Sequence, residues 1–259
     1  MMEKTKTLLS EHVNVANETK DKNLVGVFLY GSQNYGLDTE NSDVDTKAFY
    51  VPTLSQLCKL NHSGSDLRTV GDGTLLFRDV REHFALMHKQ AFNDLEWLFT
   101  DYYYVNDNYV DLVDELKARR EEVTRMNPVK CANAMRGMAN KSYKEYLVCG
   151  KDKRLAYALK FARAYHNYVV KDTSFAECLR PSDEEMFMEA RRLKDMEHPE
   201  EAFLAVKGTF GTLMYEADAA LEMKHYSANK ETEKFLEKVL CEFVRRGLFC
   251  FNLVDEIDY

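Results

Sequence analysis

The sequence has little of what stiffens small secreted domains or anchors a chain in a membrane. No two of its six cysteines, at 58, 131, 149, 178, 241 and 250, stand in a Cys-x-x-Cys pair. That rules against a disulfide scaffold and a cysteine-type zinc site, and it suits a reducing compartment. No uninterrupted apolar run approaches the ~18 residues of a membrane-spanning helix. The opening stretch MMEKTKTLLSEHVNVANETKDKN lacks the apolar core of a signal peptide. A cytoplasmic, non-membrane protein is expected. Prolines number four, and no repeat or low-complexity tract is visible. Positive charge is the scarcer sign, 35 Lys+Arg against 43 Asp+Glu, for a net charge of −8.

What is present is ample core material. A chain of 259 residues with 45% hydrophobic and 12% aromatic side chains folds as one large domain or two small ones. An acidic total argues against a nucleic-acid partner, but the charge is unevenly placed. Residues 128–171 carry ten basic side chains (Lys130, Arg136, Lys141, Lys144, Lys151, Lys153, Arg154, Lys160, Arg163 and Lys171) and only Glu145 and Asp152 as acids. That segment is +8, and the rest of the chain is −16. It is either a solvated helical face or a wall facing an anionic ligand such as a nucleotide or RNA.

Periodicity divides the chain. Residues 3–20 read as an opening helix. Leu24 to Tyr30 is a short apolar run ending at Gly31, which suits a buried strand. Asp43 to Val51 has strand-forming residues and stops at Pro52. Asn61 to Asp72 reads as a loop, Thr74 to Phe77 as a strand, and Asp79 as the cap of a helix running to about 92. Tyr102 to Val105 is a further short strand. After Asn127-Pro128 the pattern is helical, with Leu155, Leu159, Ala162, His166 and Val169 forming one apolar stripe. The fold class is therefore α+β, with a boundary near 110–128: an α+β domain over 1–120 and an α-helical domain over 121–259 that lines a substrate cleft.

The chemistry sits in Gly31-Ser32-Gln33-Asn34-Tyr35-Gly36, followed by Ser42-Asp43-Val44-Asp45-Thr46-Lys47. A strand running into Gly-Ser lets backbone N–H groups approach a ligand, and a helix opening there would favour phosphate. Asp43 and Asp45 are two apart, so in a strand they share a face. Adjacent carboxylates repel unless a cation lies between them, and oxygen ligands without His or Cys suit Mg²⁺ or Mn²⁺. Lys47 follows on the same face, within reach of a metal-held phosphate.

This order of motifs resembles the DNA polymerase β-like nucleotidyltransferase superfamily, whose signature is Gly-Ser followed about ten residues later by Asp-x-Asp. Here ten residues, 33 to 42, separate Ser32 from Asp43. More narrowly, the chain resembles the nucleotidyltransferases associated with RNA repair ligases. Its Ser42–Lys47 matches their SDxDxK, with Ala48 where Gly is usual, and Leu86 to Phe99 is similar to their helix and LE-L-L-F strand. Gln90-Ala91-Phe92 replaces their Gly-Asn-Pro turn. The resemblance implies a polymerase β-like domain with a short mixed sheet and a two-metal transfer of NMP from an NTP, ATP by preference, releasing pyrophosphate. Asp43 and Asp45 would hold Mg²⁺ or Mn²⁺, and Gly31 and Ser32 would bind the triphosphate with Lys47. A third carboxylate is implied too: Asp79 first, Asp72 second, Glu96 third. Asp79 reads equally as a helix N-cap.

Other signals are weaker. His83 and His88 form no HxxxH or HExxH arrangement, and His166 reads as a core histidine. Trp97 and Tyr102–Tyr104 read as packing residues. Tyr157, among Lys153, Lys160 and Arg163, is the better base-stacking candidate, and that cluster is a candidate triphosphate or RNA site. Residues 182–202 read as solvated helix. Three functions compete: nucleotidyl transfer to an RNA or tRNA end, the same chemistry on a protein side chain (AMPylation, as in antitoxin-type relatives) or a small molecule, and a retired nucleotide or RNA sensor.

Overall fold

The computed structural model describes residues 2–19, 23–37, 42–58, 65–180 and 199–250. Five strands form one mixed sheet: β1 (Asn23–Tyr30), β2 (Asp45–Val51), β3 (Asp66–Val70), β4 (Gly73–Asp79) and β5 (Tyr103–Val105). Their order is β3-β4-β2-β1-β5. β1 is antiparallel to β2 and to β5, β3 is antiparallel to β4, and β2 and β4 run parallel. The chain between the parallel pair carries the short helix α2 (Leu54–Cys58) and β3.

The two faces of the sheet bury different residues. On one face Ala48, Tyr50, Leu75 and Phe77 pack with Leu9 and Ala16 of helix α1 (Met2–Asn17). On the other, Phe49 and Val51 join Phe28, Phe84, Met87 and Trp97 in the larger core. The period-2 alternation of β2 sorts its residues between these faces. In β1 a register shift between Leu24 and Gly26 breaks the alternation, so that Val25 and Phe28, three apart, share the larger core. Gly26 has no alternative there, because a Cβ would lie 2.5 Å from the Tyr104 carbonyl oxygen.

Helix α3 (Val80–His88) follows β4 and is capped by Asp79, whose carboxylate accepts from the Arg81 N–H at 2.8 Å. The helix ends at 88, short of the expected 92, because Gln90 adopts φ +58°. The Gln90 side chain is buried and donates to the carbonyls of Met87 and Val123. This left-handed residue stands where the related turn has Gly. One turn of helix α4 (Phe92–Leu95) and a 3₁₀ turn (Glu96–Phe99) follow. The expected LE-L-L-F strand is therefore a helical turn, with Leu95, Glu96, Trp97 and Leu98 all buried. The second correction is β3, which lies inside the stretch read as loop. Residues 61–64 of that loop and most of 182–202 lie outside the described residues.

From residue 107 onward every described element is helical. Helices α5 (Val110–Ala118) and α6 (Arg120–Thr124) lead to α7 (Pro128–Cys149), α8 (Asp152–Val169) and α9 (Phe175–Leu179). α7 starts with Pro128 behind an Asn127 cap and stops at Gly150, φ +65°. The α8 stripe of Leu155, Leu159, Ala162, His166 and Val169 is buried, and His166 Nε2 lies 2.9 Å from Glu216. Two further helices, Pro199–Met223 and Lys230–Cys250, complete the described elements. The second closes on the sheet: Phe243 packs on Phe84 and Tyr109, and a Cβ at Gly247 would lie 2.4 Å from Val51 Cγ1. Among the described residues no helix is long and apolar enough to cross a membrane.

Candidate active site

Strand β1 ends at Tyr30, opposite Asp45, the first residue of β2. Gly31 then turns the chain at φ +85°, with its would-be Cβ 3.9 Å from Asp45 Oδ2. The turn closes on itself, since the Ser32 carbonyl accepts from the N–H groups of Tyr35 and Leu37. Gln33 ties the turn to both sides. Its Nε2 donates to the Asp43 carbonyl at 3.1 Å, and its Oε1 accepts from Thr5 of α1 at 3.0 Å. Gln33 therefore ties the Gly-Ser turn to the backbone of Asp-x-Asp.

Asp45 is held by β4. Its Oδ1 accepts from both the N–H (3.1 Å) and the hydroxyl (2.5 Å) of Thr74. Gly73, one residue earlier, packs so tightly that a Cβ would fall 1.8 Å from the Val44 carbonyl oxygen. The end of the β3–β4 hairpin thus seats against the backbone between the two aspartates.

Asp79 does not join them. β4 runs parallel to β2 with Thr46 opposite Leu75 and Tyr50 opposite Asp79. Five residues of strand, about 17 Å, separate Asp79 from Thr74. Asp79 also shares the parity of Leu75 and Phe77, on the α1 face, whereas Thr74 binds Asp45. Its carboxylate is taken up by Arg81, as an N-cap and an ion pair. Asp72 is exposed in the turn before Gly73.

Glu96, third in the sequence ranking, lines a cavity of about 520 Å³ with Tyr30, Gly31, Tyr35, Asn93 and Tyr157. It is fully buried, against the Tyr35 side chain and the Gly31 backbone, which hydrogen-bond its carboxylate. Burial pushes its carboxyl up to about 7, against the pull of the Lys47 charge. Among the described residues no three His, Cys, Asp or Glu side chains converge as a metal-binding group.

Lys47 is not free to reach a phosphate. Its buried ammonium donates to the Asn93 carbonyl and to Asp94 Oδ1 at 2.9 Å. Asp94 also accepts from Arg78 and lies 3.7 Å from His83 Nδ1. Burial opposes the Asp94 charge, yet His83 and Lys47 hold its carboxyl below the usual range. His83, stacked on Phe49 at 3.8 Å, is lowered by burial to about 4. Sequence reading missed Asp94 as the hub of this cluster, because its partners come from three elements.

Helix α8 presents the other wall. Lys153, Tyr157 and Phe161, at i, i+4 and i+8, line the cavity, with Lys151 and Arg154 beside them. Lys141, Ser142 and Glu145 of α7 face them. The Tyr157 hydroxyl hydrogen-bonds Ser32, while burial, with the charges of Asp43, Glu96 and Asp45, pushes it up to about 12. Tyr157 thus links the basic segment to Ser32 of the turn. Lys160 and Arg163 do not line the cavity. Lys160 is buried with its Nζ 2.7 Å from the Tyr35 ring centroid, and burial holds it well below the usual lysine range. The missed wall residues, Lys141 and Arg154, carry the charge signal but stand on no shared sequence period.

The donor set suits a hard cation. Asp43 and Asp45 would offer only oxygen ligands, and Mg²⁺ commonly binds one or two carboxylates together with substrate phosphates. A missing third carboxylate does not spoil that fit.

Residues 6–194 match the model of a family described as the RNA repair pathway DNA polymerase beta family. A crystal structure of a nucleotidyltransferase-like protein from Exiguobacterium sibiricum 255-15 is similar at 12% identity and a TM-score of 0.33, covering 95% of this chain and 77% of that one. No curated protein matches the sequence.

Proposed function

The chain belongs to the RNA repair pathway DNA polymerase beta family and is a nucleotidyltransferase with that fold; on this premise we propose that it transfers an NMP from an NTP to a hydroxyl at an RNA end. The observation that carries the reading is the cavity shared by Gly31 and the basic wall of Lys141, Lys151, Lys153 and Arg154. A triphosphate is the ligand whose charge matches that wall, and about 520 Å³ lies within the range of small-molecule sites.

In this reading Gly31 admits the phosphate chain next to Asp45, because a side chain there would stand between them. Tyr157 keeps the Ser32 hydroxyl in place and offers a ring, packed 6.2 Å from Phe161, to the nucleotide. Thr74 fixes the rotamer of Asp45. Asp43 and Asp45 would hold Mg²⁺ or Mn²⁺, which supplies electrophilic stabilisation of the phosphates and activation of the attacking hydroxyl. The acceptor oxygen forms a bond to the α-phosphorus, the bond to pyrophosphate breaks with its electron pair, and the hydroxyl proton passes to water. Lys47 is a structural ion-pair partner of Asp94, and the site works without Asp79.

The test is incubation with each labelled NTP, Mg²⁺ or Mn²⁺, and mixed RNA and protein acceptors. RNA should be labelled by the native chain and not by Asp43→Asn. Label on protein alone would reject the RNA acceptor, and undiminished label with Asp43→Asn would reject the site.

A further inference from the structure

The hairpin between α7 and α8 ends in an apolar tip. Helix α7 lines the cavity with Met138, Lys141, Ser142 and Glu145, which follow one helical stripe. Val148, three residues after Glu145, extends that stripe into the last turn before the Gly150 stop. Val148 is 89% exposed, the most of any large apolar side chain among the described residues, and Leu147 beside it is 58% exposed. Just beyond Gly150, Lys151 and Lys153 line the same cavity from α8. The tip therefore stands at the rim of the cavity, where its two helical walls join. Charge surrounds it. Lys144 lies one turn before Val148, at i and i+4. Lys144, Lys151 and Lys153 take part in no ion pair among the described residues, whereas Lys141 and Arg154 pair with Glu145.

We propose that this tip seats the end of an RNA duplex, with Leu147 and Val148 against the terminal base pair and Lys144 on the flanking phosphates. This rests on the nucleotidyl-transfer reading above and names its substrate class, a paired end with a short 3′ overhang rather than an unpaired strand. Two bare aliphatic side chains among unpaired cations match a ligand with an apolar face bounded by anions. A duplex end has that form, because its last base pair is a flat apolar surface between two phosphate strands. Aliphatic side chains act on stacked bases in this way when they wedge into a base step. Lysines on phosphates fix orientation without reading sequence. The position of the tip at the cavity rim then leads the overhanging strand past Lys151 and Lys153 towards the Gly31 turn.

The experiment measures anisotropy of labelled RNA against the full chain without NTP. It compares a stem-loop carrying a short 3′ overhang with a single strand of the same length and 3′ sequence. The stem-loop should bind about tenfold tighter, from burial of the two aliphatic side chains. Leu147→Ser with Val148→Ser, which changes no charge, should remove that preference and leave ATP binding and thermal melting unchanged, while Val148→Ile should keep it. Equal affinity of the two RNAs for the native chain overturns the assignment. So does a preference that survives in the double serine variant. Phosphatidylserine vesicles that sediment the native chain but not that variant, in place of the RNA preference, would give the tip to a lipid surface and overturn it too. Binding is read without turnover, so the two readings fail separately. Transfer to RNA ends with no preference for a duplex rejects the tip alone. The expected preference without any transfer rejects the enzymatic reading alone.

Discussion

Both carboxylate oxygens of Asp79 are engaged by Arg81. Asp79→Ala should leave nucleotidyl transfer intact and lower stability by about 0.5–2 kcal/mol, the usual worth of a cap, as read by urea unfolding beside a turnover assay. Loss of turnover at full stability would restore Asp79 to the site. His83 gives a pH signature. Its folded value of about 4 lies below the unfolded value near 6.5, so the unfolded chain binds the proton first. Stability is complete above about pH 6.5 and falls by up to about 3 kcal/mol as the pH drops towards 4. Unfolding at pH 7, 5.5 and 4 should show that decline in the native chain and a flatter one in His83→Phe. At this scale Gly31 falls beside Asp45, as the motif order suggested, because the ends of β1 and β2 pair with Tyr30 opposite Asp45; Asp43 lies ahead of β2, outside the strand in which the sequence reading put it. The sequence misled on Lys47. Strand parity put the residue on the correct face, but Asp94, 47 positions later, occupies the space above it.

Elements carry the next lesson. Gly73 seats the β3–β4 hairpin on Val44, and Gly73→Ala would drive a methyl into that backbone. The expected result is a cooperative but markedly less stable fold with transfer lost, since Asp43 and Asp45 must shift. Circular dichroism melting and the labelling assay check it, and a variant with native activity would show that the hairpin does not hold the pair. Of the strands that sequence reading found, β1, β2 and β4 bury most of their residues and carry apolar runs, and β5 showed itself by its tyrosines. The one it missed, β3, is an edge strand with Asp66 and Arg68 exposed or half-exposed, so it has no apolar pattern to read. The 3₁₀ turn at Glu96–Phe99 deceived in the opposite way, its consecutive buried residues imitating a core strand. The departure at Gln90 was visible in sequence. What could not be read there is that an amide side chain holds the left-handed turn from within, by reaching Met87 and Val123.

The charge partition of the whole molecule has a measurable meaning. Of the +8 segment, Lys151 and Lys153 reach the first cavity, Lys141 and Arg154 reach it as ion-pair partners of Glu145, Arg136 is paired with Asp218 at 3.0 Å and Lys160 is buried. Lys151→Glu with Lys153→Glu should therefore weaken nucleotide or RNA binding and flatten its dependence on salt by about 1.4 in the log–log slope, measured by titration between 50 and 200 mM salt. An unchanged slope would mean that these two lysines only face water. The contact of Gly247 with Val51 has a consequence in time. Val51 belongs to a strand made early, and its partner is added 196 positions later. At the pace of synthesis that delay is roughly 10–40 s. During it Phe84, Tyr109 and the Val51 end of β2 wait without the helix that covers them. The sheet accordingly reaches its final packing only after the helix Lys230–Cys250 has emerged.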